Sequence, residues 1–231
     1  NTSHTMNIFR LAADMLHLIS ILILLLKVAG TQKCKGISLK TQALYCLVFT
    51  CRYLDLFWNF WSLYNWVMKV IFIISSYAIA YLMKFKEPIC KSYDAASDHF
   101  NVLFVIVPCA VLGLLFNVSF SPFEILWAFS IYLEAVAVVP QLIVVHKYAA
   151  DNSGTLENIT SHYMFCLGAY RALYVVNWVY RIATEKGYWD PIAWSAGVVQ
   201  TVLYIDFIYY YIKARATNDV VKLPYTIDTS K

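Results

Sequence analysis

Charge is what this 231-residue sequence has least of. Asp, Glu, Lys and Arg together make up 14% of it, against roughly 25% in a soluble domain. No polar stretch is long enough to build a separate lumenal or cytosolic domain, which leaves no room for an appended catalytic unit. No His-x-x-x-His or Cys-x-x-Cys spacing and no phosphate loop occurs, so neither a metal nor a nucleotide cofactor is expected. The net charge of +4 is spread over loops and not gathered in a stripe, which argues against nucleic acid. No cleavable signal peptide is evident. The first apolar run follows Arg10, is long enough to span, and reads as a helix that stays. Asn1–Thr5 precede Met6, and residues 1–6 read as an N-terminal extension. Of six cysteines, Cys46, Cys51, Cys109 and Cys166 fall in apolar runs and Cys34 and Cys90 in loops. Reduced structural thiols are therefore expected, not a disulfide framework.

What is abundant is apolar surface: 61% of residues, with a mean hydropathy of +0.60. Such a surface requires lipid as its solvent. Aromatics reach 17%, which suits helix ends at the membrane interface or an aromatic-lined pocket. Seven segments approach the roughly 20 residues a span needs: 7–27, 38–60, 63–83, 101–119, 122–146, 161–183 and 189–212. The expected fold is all-α and integral to the membrane, one seven-helix domain over 7–212 with a tail over 213–231. Lys and Arg crowd the odd loops and the tail, with Lys186 the exception. The positive-inside rule then makes the N-terminus lumenal and the C-terminus cytosolic. Phe9-Arg10 and Arg52-x-Leu54 are echoed by Phe123-Glu124 and Arg171-x-Leu173. That echo hints at two three-helix bundles joined by the fourth helix.

Ionisable residues inside spans are costly and mark function by default. Arg10, Asp14 and His17 share one face of the first span at i, i+4, i+7. Arg52 and Asp55 lie one turn apart on the second. Arg171, Tyr174, Trp178 and Arg181 form a stripe on the sixth. Stripes on three helices imply a common cavity. Arg10, Glu124, Asp55 and Arg181 fall near lumenal ends, with Arg52 a turn deeper than Asp55. His17, Glu134 and Arg171 fall nearer the midplane, and Lys69 is close enough to a span end to snorkel. Three guanidinium forks suit carboxylates, while Asp55 and Glu124 suit a cation and Trp178 could add a cation–π face. A short acidic peptide with a free C-terminus and one basic residue matches that set. Structural roles stay open beside this one: an intrahelical Arg52–Asp55 pair, a buried Glu134–Arg171 bridge, a core histidine at 17, a capping or pairing role for Asp206, and a simple kink at Pro140-Gln141.

These residues stand in stretches that resemble the KDEL receptor family: Met6-Asn7-Ile8-Phe9-Arg10-Leu11, Thr50-Cys51-Arg52-Tyr53-Leu54-Asp55-Leu56-Phe57, Ser121-Pro122-Phe123-Glu124-Ile125-Leu126-Trp127, Ser130-Ile131-Tyr132-Leu133-Glu134, Val139-Pro140-Gln141-Leu142, and Tyr170-Arg171-Ala172-Leu173-Tyr174 running on to Asn177-Trp178. The resemblance implies a SWEET-like fold and no enzymatic activity. It implies a lumenal cavity for the C-terminal Lys-Asp-Glu-Leu-type tetrapeptide of endoplasmic reticulum proteins. By position, Arg52 and Tyr53 would hold the terminal carboxylate, Arg10 the Glu and Arg181 the Asp of the signal. Asp55, Glu124 and Trp178 would receive its basic first residue, with Trp127 and Tyr174 beside it. His17 would sense pH, and Glu134, Tyr170, Arg171, Asn177 and Asp206 would couple protonation to closure. The resemblance further implies cycling between Golgi and endoplasmic reticulum membranes through retrograde (COPI) and anterograde coats. The tail departs from the family, with Lys213, Arg215 and Lys222 spread where a tight lysine cluster is usual. The segment from Lys84 to His99 is longer than the family leads one to expect. A small-molecule carrier of the same fold is the main rival, since Pro140-Gln141 is common to that wider group. A carrier would not need Arg10, Arg52 and Arg181 around one cavity. A heptahelical signalling receptor is the weaker rival.

Overall fold

The computed structural model describes residues 7–57, 60 and 62–224. The expected extension at 1–6 and the tail's Lys231 lie outside them. The described residues form eight α-helices and two 3-10 turns. Helix α1 spans Ile8–Thr31, α2 Leu39–Arg52, α3 Leu63–Phe85 and α4 Leu103–Leu115. Helix α5 spans Pro122–Val136, α6 Val139–Asp151, α7 Asn158–Thr184 and α8 Pro191–Ala216. The 3-10 turns are Leu54–Phe57 and Cys90–Ser92.

The helix starts are written locally. Asn7, Ser38, Ser62, Ser121 and Asp190 each accept a backbone N–H three residues on. Such caps satisfy one of the orphan donors of a first turn. Pro122 and Pro191 follow two of them, where the missing N–H costs nothing. Four stretches are long and apolar enough to cross a membrane: α1, α3, α5 with α6, and α8. Helix α4 is apolar but shorter.

Helices α5 and α6 are one rod with a joint at Pro140. The expected kink has a specific repair. Thr41 Oγ1 donates to the Ala137 carbonyl at 2.9 Å and accepts from the Gln141 N–H at 3.0 Å. The Gln141 side chain reaches the same strip of chain, accepting from Ser38 N at 2.8 Å and donating to Gly36 O at 2.9 Å. Four hydrogen bonds thus seat the joint on the start of α2.

The second expected span is interrupted. Helix α2 ends at Arg52, and a single 3-10 turn follows. Irregular backbone at membrane depth is tolerated where it is buried in protein or lines a cavity. The long 84–99 segment also finds its account. Asp98, buried, accepts from Ser38 Oγ at 2.9 Å, Lys40 N at 3.1 Å and Tyr93 Oη at 2.7 Å. Ser92 Oγ accepts from Cys34 N at 2.8 Å. The segment therefore folds over one end of the bundle and ties its loops together.

Helices α2 and α1 pack on α3, and α5 and α7 pack on α8. Across these two groups α1 meets α7 and α2 meets α5, while α4 lies along α5. That grouping is consistent with the internal echo. Gly113 permits the α4–α5 approach, because a Cβ there would come within 2.9 Å of the Phe129 nitrogen. Polarity is inverted relative to a soluble protein. Leu26, Ile74, Phe104, Leu115, Val202 and Ile212 are exposed, while Asp14, His17, Glu134, Arg171 and Gln200 are buried. A lipid-facing surface with a polar interior is the arrangement that charge inside a membrane demands.

Candidate functional site

Arg52 and Arg171 meet on one carboxylate. Glu134, 3% exposed, forms ion pairs with both guanidinium groups. Arg52 also donates through Nε to Ser130 Oγ at 3.2 Å and through Nη2 to Ser130 O at 2.9 Å. Ser130 is one turn before Glu134 on α5, so one helix face holds the whole fork. Tyr170 Oη donates to Glu134 Oε1 at 2.7 Å and accepts from Gln200 Nε2 at 3.3 Å. The Arg171 guanidinium lies over the rings of Tyr170 and Tyr174. Two cations on one carboxylate leave an excess positive charge beneath the protein surface.

His17 completes the cluster. Its ring stacks on Tyr170 with centroids 4.1 Å apart and planes within 4°. Phe72 stacks at 4.6 Å on the opposing side of the packing. Below it lies a cavity of about 20 Å³, lined among others by Ser20, Gln42 and Ser76. That is room for one water.

A second layer stands next to this one. Asp14, buried, accepts from Tyr64 Oη at 2.9 Å and from Tyr174 Oη. Arg10 donates to Asn65 Oδ1 at 3.4 Å. Asn7 Nδ2 donates to Asn177 Oδ1 at 2.6 Å, tying the start of α1 to α7. Tyr53 stacks on Phe49 at 5.8 Å. Trp178 is buried between Tyr174 and Trp194.

Towards the end of α7, Arg181 is clamped by Glu185, one turn on, through contacts of 2.8 to 3.0 Å. It lies 3.8 Å over the Tyr188 ring. Burial pushes the Tyr188 phenol up, and Arg181 pulls the other way. Lys69 donates to both oxygens of Asp55, at 2.7 and 2.8 Å. The Glu124 carboxylate has no ion-pair partner among the described residues.

The structure gives partners to several residues whose roles the sequence left open. Arg52 and Asp55 do not pair with each other; the helix ends between them and sends them to different partners. Arg52, a turn deeper than Asp55, joins the cluster through Glu134. Lys69, close enough to a span end to snorkel, pairs with Asp55. Asn177 does not join the Glu134 cluster but holds Asn7. Asp206 is exposed on α8, between the inward-facing Tyr204 and Phe207, and has no hydrogen bond or ion pair with the network among the described residues. Tyr64, Asn65, Ser130 and Gln200 were missed. Only Ser130, at i−4 from Glu134, left a trace in the sequence; the others are polar side chains without a motif.

The conserved-domain model described as ER lumen protein retaining receptor matches residues 33–181. The chain belongs to that family. It is 52% identical over 219 residues to ER lumen protein-retaining receptor A of Arabidopsis thaliana. It is 55% identical over 220 residues to ER lumen protein-retaining receptor erd-2.2 of Caenorhabditis elegans. It is 54% identical over 221 residues to ER lumen protein-retaining receptor 2 of Bos taurus. Each alignment covers 95% of this chain and 100% of the relative. As a member of a receptor family, the chain is not an enzyme. Three of the stretches that carry the family resemblance build the Glu134 cluster: 50–57 supplies Arg52, 130–134 supplies Ser130 and Glu134, and 170–178 supplies Tyr170, Arg171 and Tyr174.

Proposed function

We propose that this protein binds C-terminal Lys-Asp-Glu-Leu-type signals from the lumenal side, at acid pH, and releases them near neutrality. It would do so as a seven-span protein of Golgi and endoplasmic reticulum membranes, N-terminus lumenal and C-terminus cytosolic, cycling through coat machinery. The carrying observation is the excess positive charge at Arg52, Glu134 and Arg171. A buried ionic group is stable only when paired and hydrogen-bonded. A peptide's terminal carboxylate is the missing anion. Arg52, whose side chain is 14% exposed, is the member of the cluster that a ligand reaches. Tyr53, Tyr174 and Trp178 line its approach in this reading. Arg10 is a further anion contact, Arg181 joins it only by giving up Glu185, and Glu124 is the acceptor for a basic first residue. Asp55 takes a ligand cation only by giving up Lys69.

The same cluster supplies the pH dependence. His17 lies within electrostatic reach of Glu134, Arg171 and Arg52. Protonating it adds positive charge to a site that already has an excess. A bound carboxylate offsets that charge, so proton and peptide favour each other's binding by linkage. An unperturbed histidine titrates near pH 6.5, between an acidic and a near-neutral compartment.

The test is binding of a labelled Lys-Asp-Glu-Leu peptide to the purified protein at about pH 5.5 and about pH 7.2, either side of the histidine range. Tight binding at the lower pH only is expected. In His17→Ala the difference between the two should vanish. A folded wild-type protein that binds at neither pH overturns the reading.

A further inference from the structure

A cavity of about 600 Å³ opens between the α4–α5 turn and the α7–α8 turn. Pockets of this size are typical of ligand sites. Trp127 and Arg181 line it, and both belong to the peptide site proposed above. Its other walls include Phe116, Asn117, Trp189 and Asp190, none of which that site uses. Trp189 is 72% exposed. Its ring stacks on Trp194 at 6.4 Å, and Trp194 stacks on Trp178 at 6.4 Å. An aromatic ladder therefore runs from the cavity down to the peptide site.

Several polar groups around the cavity are already engaged. Asp190 Oδ1 caps α8 through Ala193 N. Asn117 Nδ2 donates to Gly113 O and Leu114 O at the end of α4. Arg181 is neutralised by Glu185. What the cavity offers most of is aromatic and aliphatic surface.

Direction decides which part of a ligand arrives there. The terminal carboxylate goes to Arg52 in the cluster, and the basic first residue of the signal to Glu124. Trp127 is one turn on from Glu124, on the same face of α5. The chain upstream of the signal thus leaves Glu124 beside the cavity mouth. We propose that this cavity is a subsite for a large apolar side chain, above all an aromatic one, on the residue immediately preceding the four-residue signal. The inference rests on the receptor reading and deepens it. Its consequence is that retrieval ligands are ranked by a fifth residue.

The experiment compares Phe-Lys-Asp-Glu-Leu with Gly-Lys-Asp-Glu-Leu and with the bare tetrapeptide, on the full chain at acid pH. The Phe peptide should bind roughly three- to tenfold more tightly than the Gly peptide, as one aromatic contact provides. Trp189→Ala should abolish that advantage and leave the tetrapeptide's affinity unchanged, while Trp189→Phe should keep part of it. Equal affinities on the wild type, or an advantage that survives Trp189→Ala, overturn the subsite and leave the receptor reading standing. Failure of every peptide to bind folded protein overturns both. A photo-crosslinking phenylalanine analogue at the fifth position reads the same point on wild-type protein. Crosslinks within 116–127 or 187–192 are expected; crosslinks only elsewhere overturn the proposal.

Discussion

At the scale of single residues, Glu134 decides most. Among the described residues it is the only carboxylate paired with two arginines, and these lie on helices of different groups, α2 and α7. Glu134→Gln leaves two buried cations facing each other. Breaking a buried pair from one side costs about 3–5 kcal/mol. The thermal unfolding midpoint in detergent should fall accordingly; an unchanged midpoint would mean that water already satisfies the arginines. Gly197 matters for a steric reason. A Cβ there would approach the Trp178 ring within 2.3 Å. Gly197→Ala should therefore displace Trp178, weakening peptide binding without removing any polar contact. Affinity measured beside the unfolding midpoint separates loss of the site from loss of the fold.

Among elements, the joint between α5 and α6 is the most exacting. Thr41 serves a carbonyl and an N–H that Pro140 would otherwise leave unmatched. Thr41→Val keeps the shape and removes the hydroxyl. Two buried backbone groups then lose their partner, at about 1–3 kcal/mol each. Thr41→Ser should recover most of this in a thermal unfolding series. The sequence shows a proline in a span and hence a kink. It does not show that the repair comes from 99 residues away, since nothing local encodes which hydroxyl will be opposite. Asp98 is a parallel case. It gathers Ser38, Lys40 and Tyr93 from either side of a long stretch of chain. Burial pushes the Tyr93 phenol above its usual range, with Asp98 adding to the effect. The Tyr93–Asp98 contact is therefore fully present below the ordinary tyrosine range near pH 10. It is lost as pH rises beyond that range, which a pH titration of the unfolding midpoint in wild type and Tyr93→Phe would read.

On the whole-molecule scale the described part of the tail, 213–224, is part of the fold. Helix α8 runs to Ala216, and the chain then turns back to pair Lys222 with Thr155 in an antiparallel bridge. Leu156 N donates to Val221 O at 3.0 Å, and Leu223 N to Gly154 O at 2.9 Å. Val221 and Leu223 are buried. Of the basic residues expected to be read by a coat, Arg215 donates to Asn158 at 3.0 Å and Lys222 pairs with Asp219 at 2.8 Å. Leu223→Asp should release this return stretch. Limited proteolysis should then cut after Lys222 faster than in wild type, with the transmembrane helices unaffected. The thiols report on the same packing. All six cysteines are free, and burial pushes the Cys34 thiol up. Alkylation of folded protein should reach the half-buried Cys51 and Cys90 before the others.

The sequence by itself determined the solvent, the helices and the kind of chemistry. Apolar excess demands lipid, caps and prolines start the helices, and periodicity puts Arg10, Asp14 and His17 on one face and Arg171, Trp178 and Arg181 on another. Those facts are local, and local physics reads them. Partnership is not local. Only the tertiary structure decided that Arg52 belongs to Glu134 and not to Asp55, that Lys69 holds Asp55, that Asp206 stands outside the network, and that His17 lies flat on Tyr170. Each of those outcomes depends on which helix faces which, a matter settled by the packing of the whole bundle and by the cost of leaving any buried charge alone.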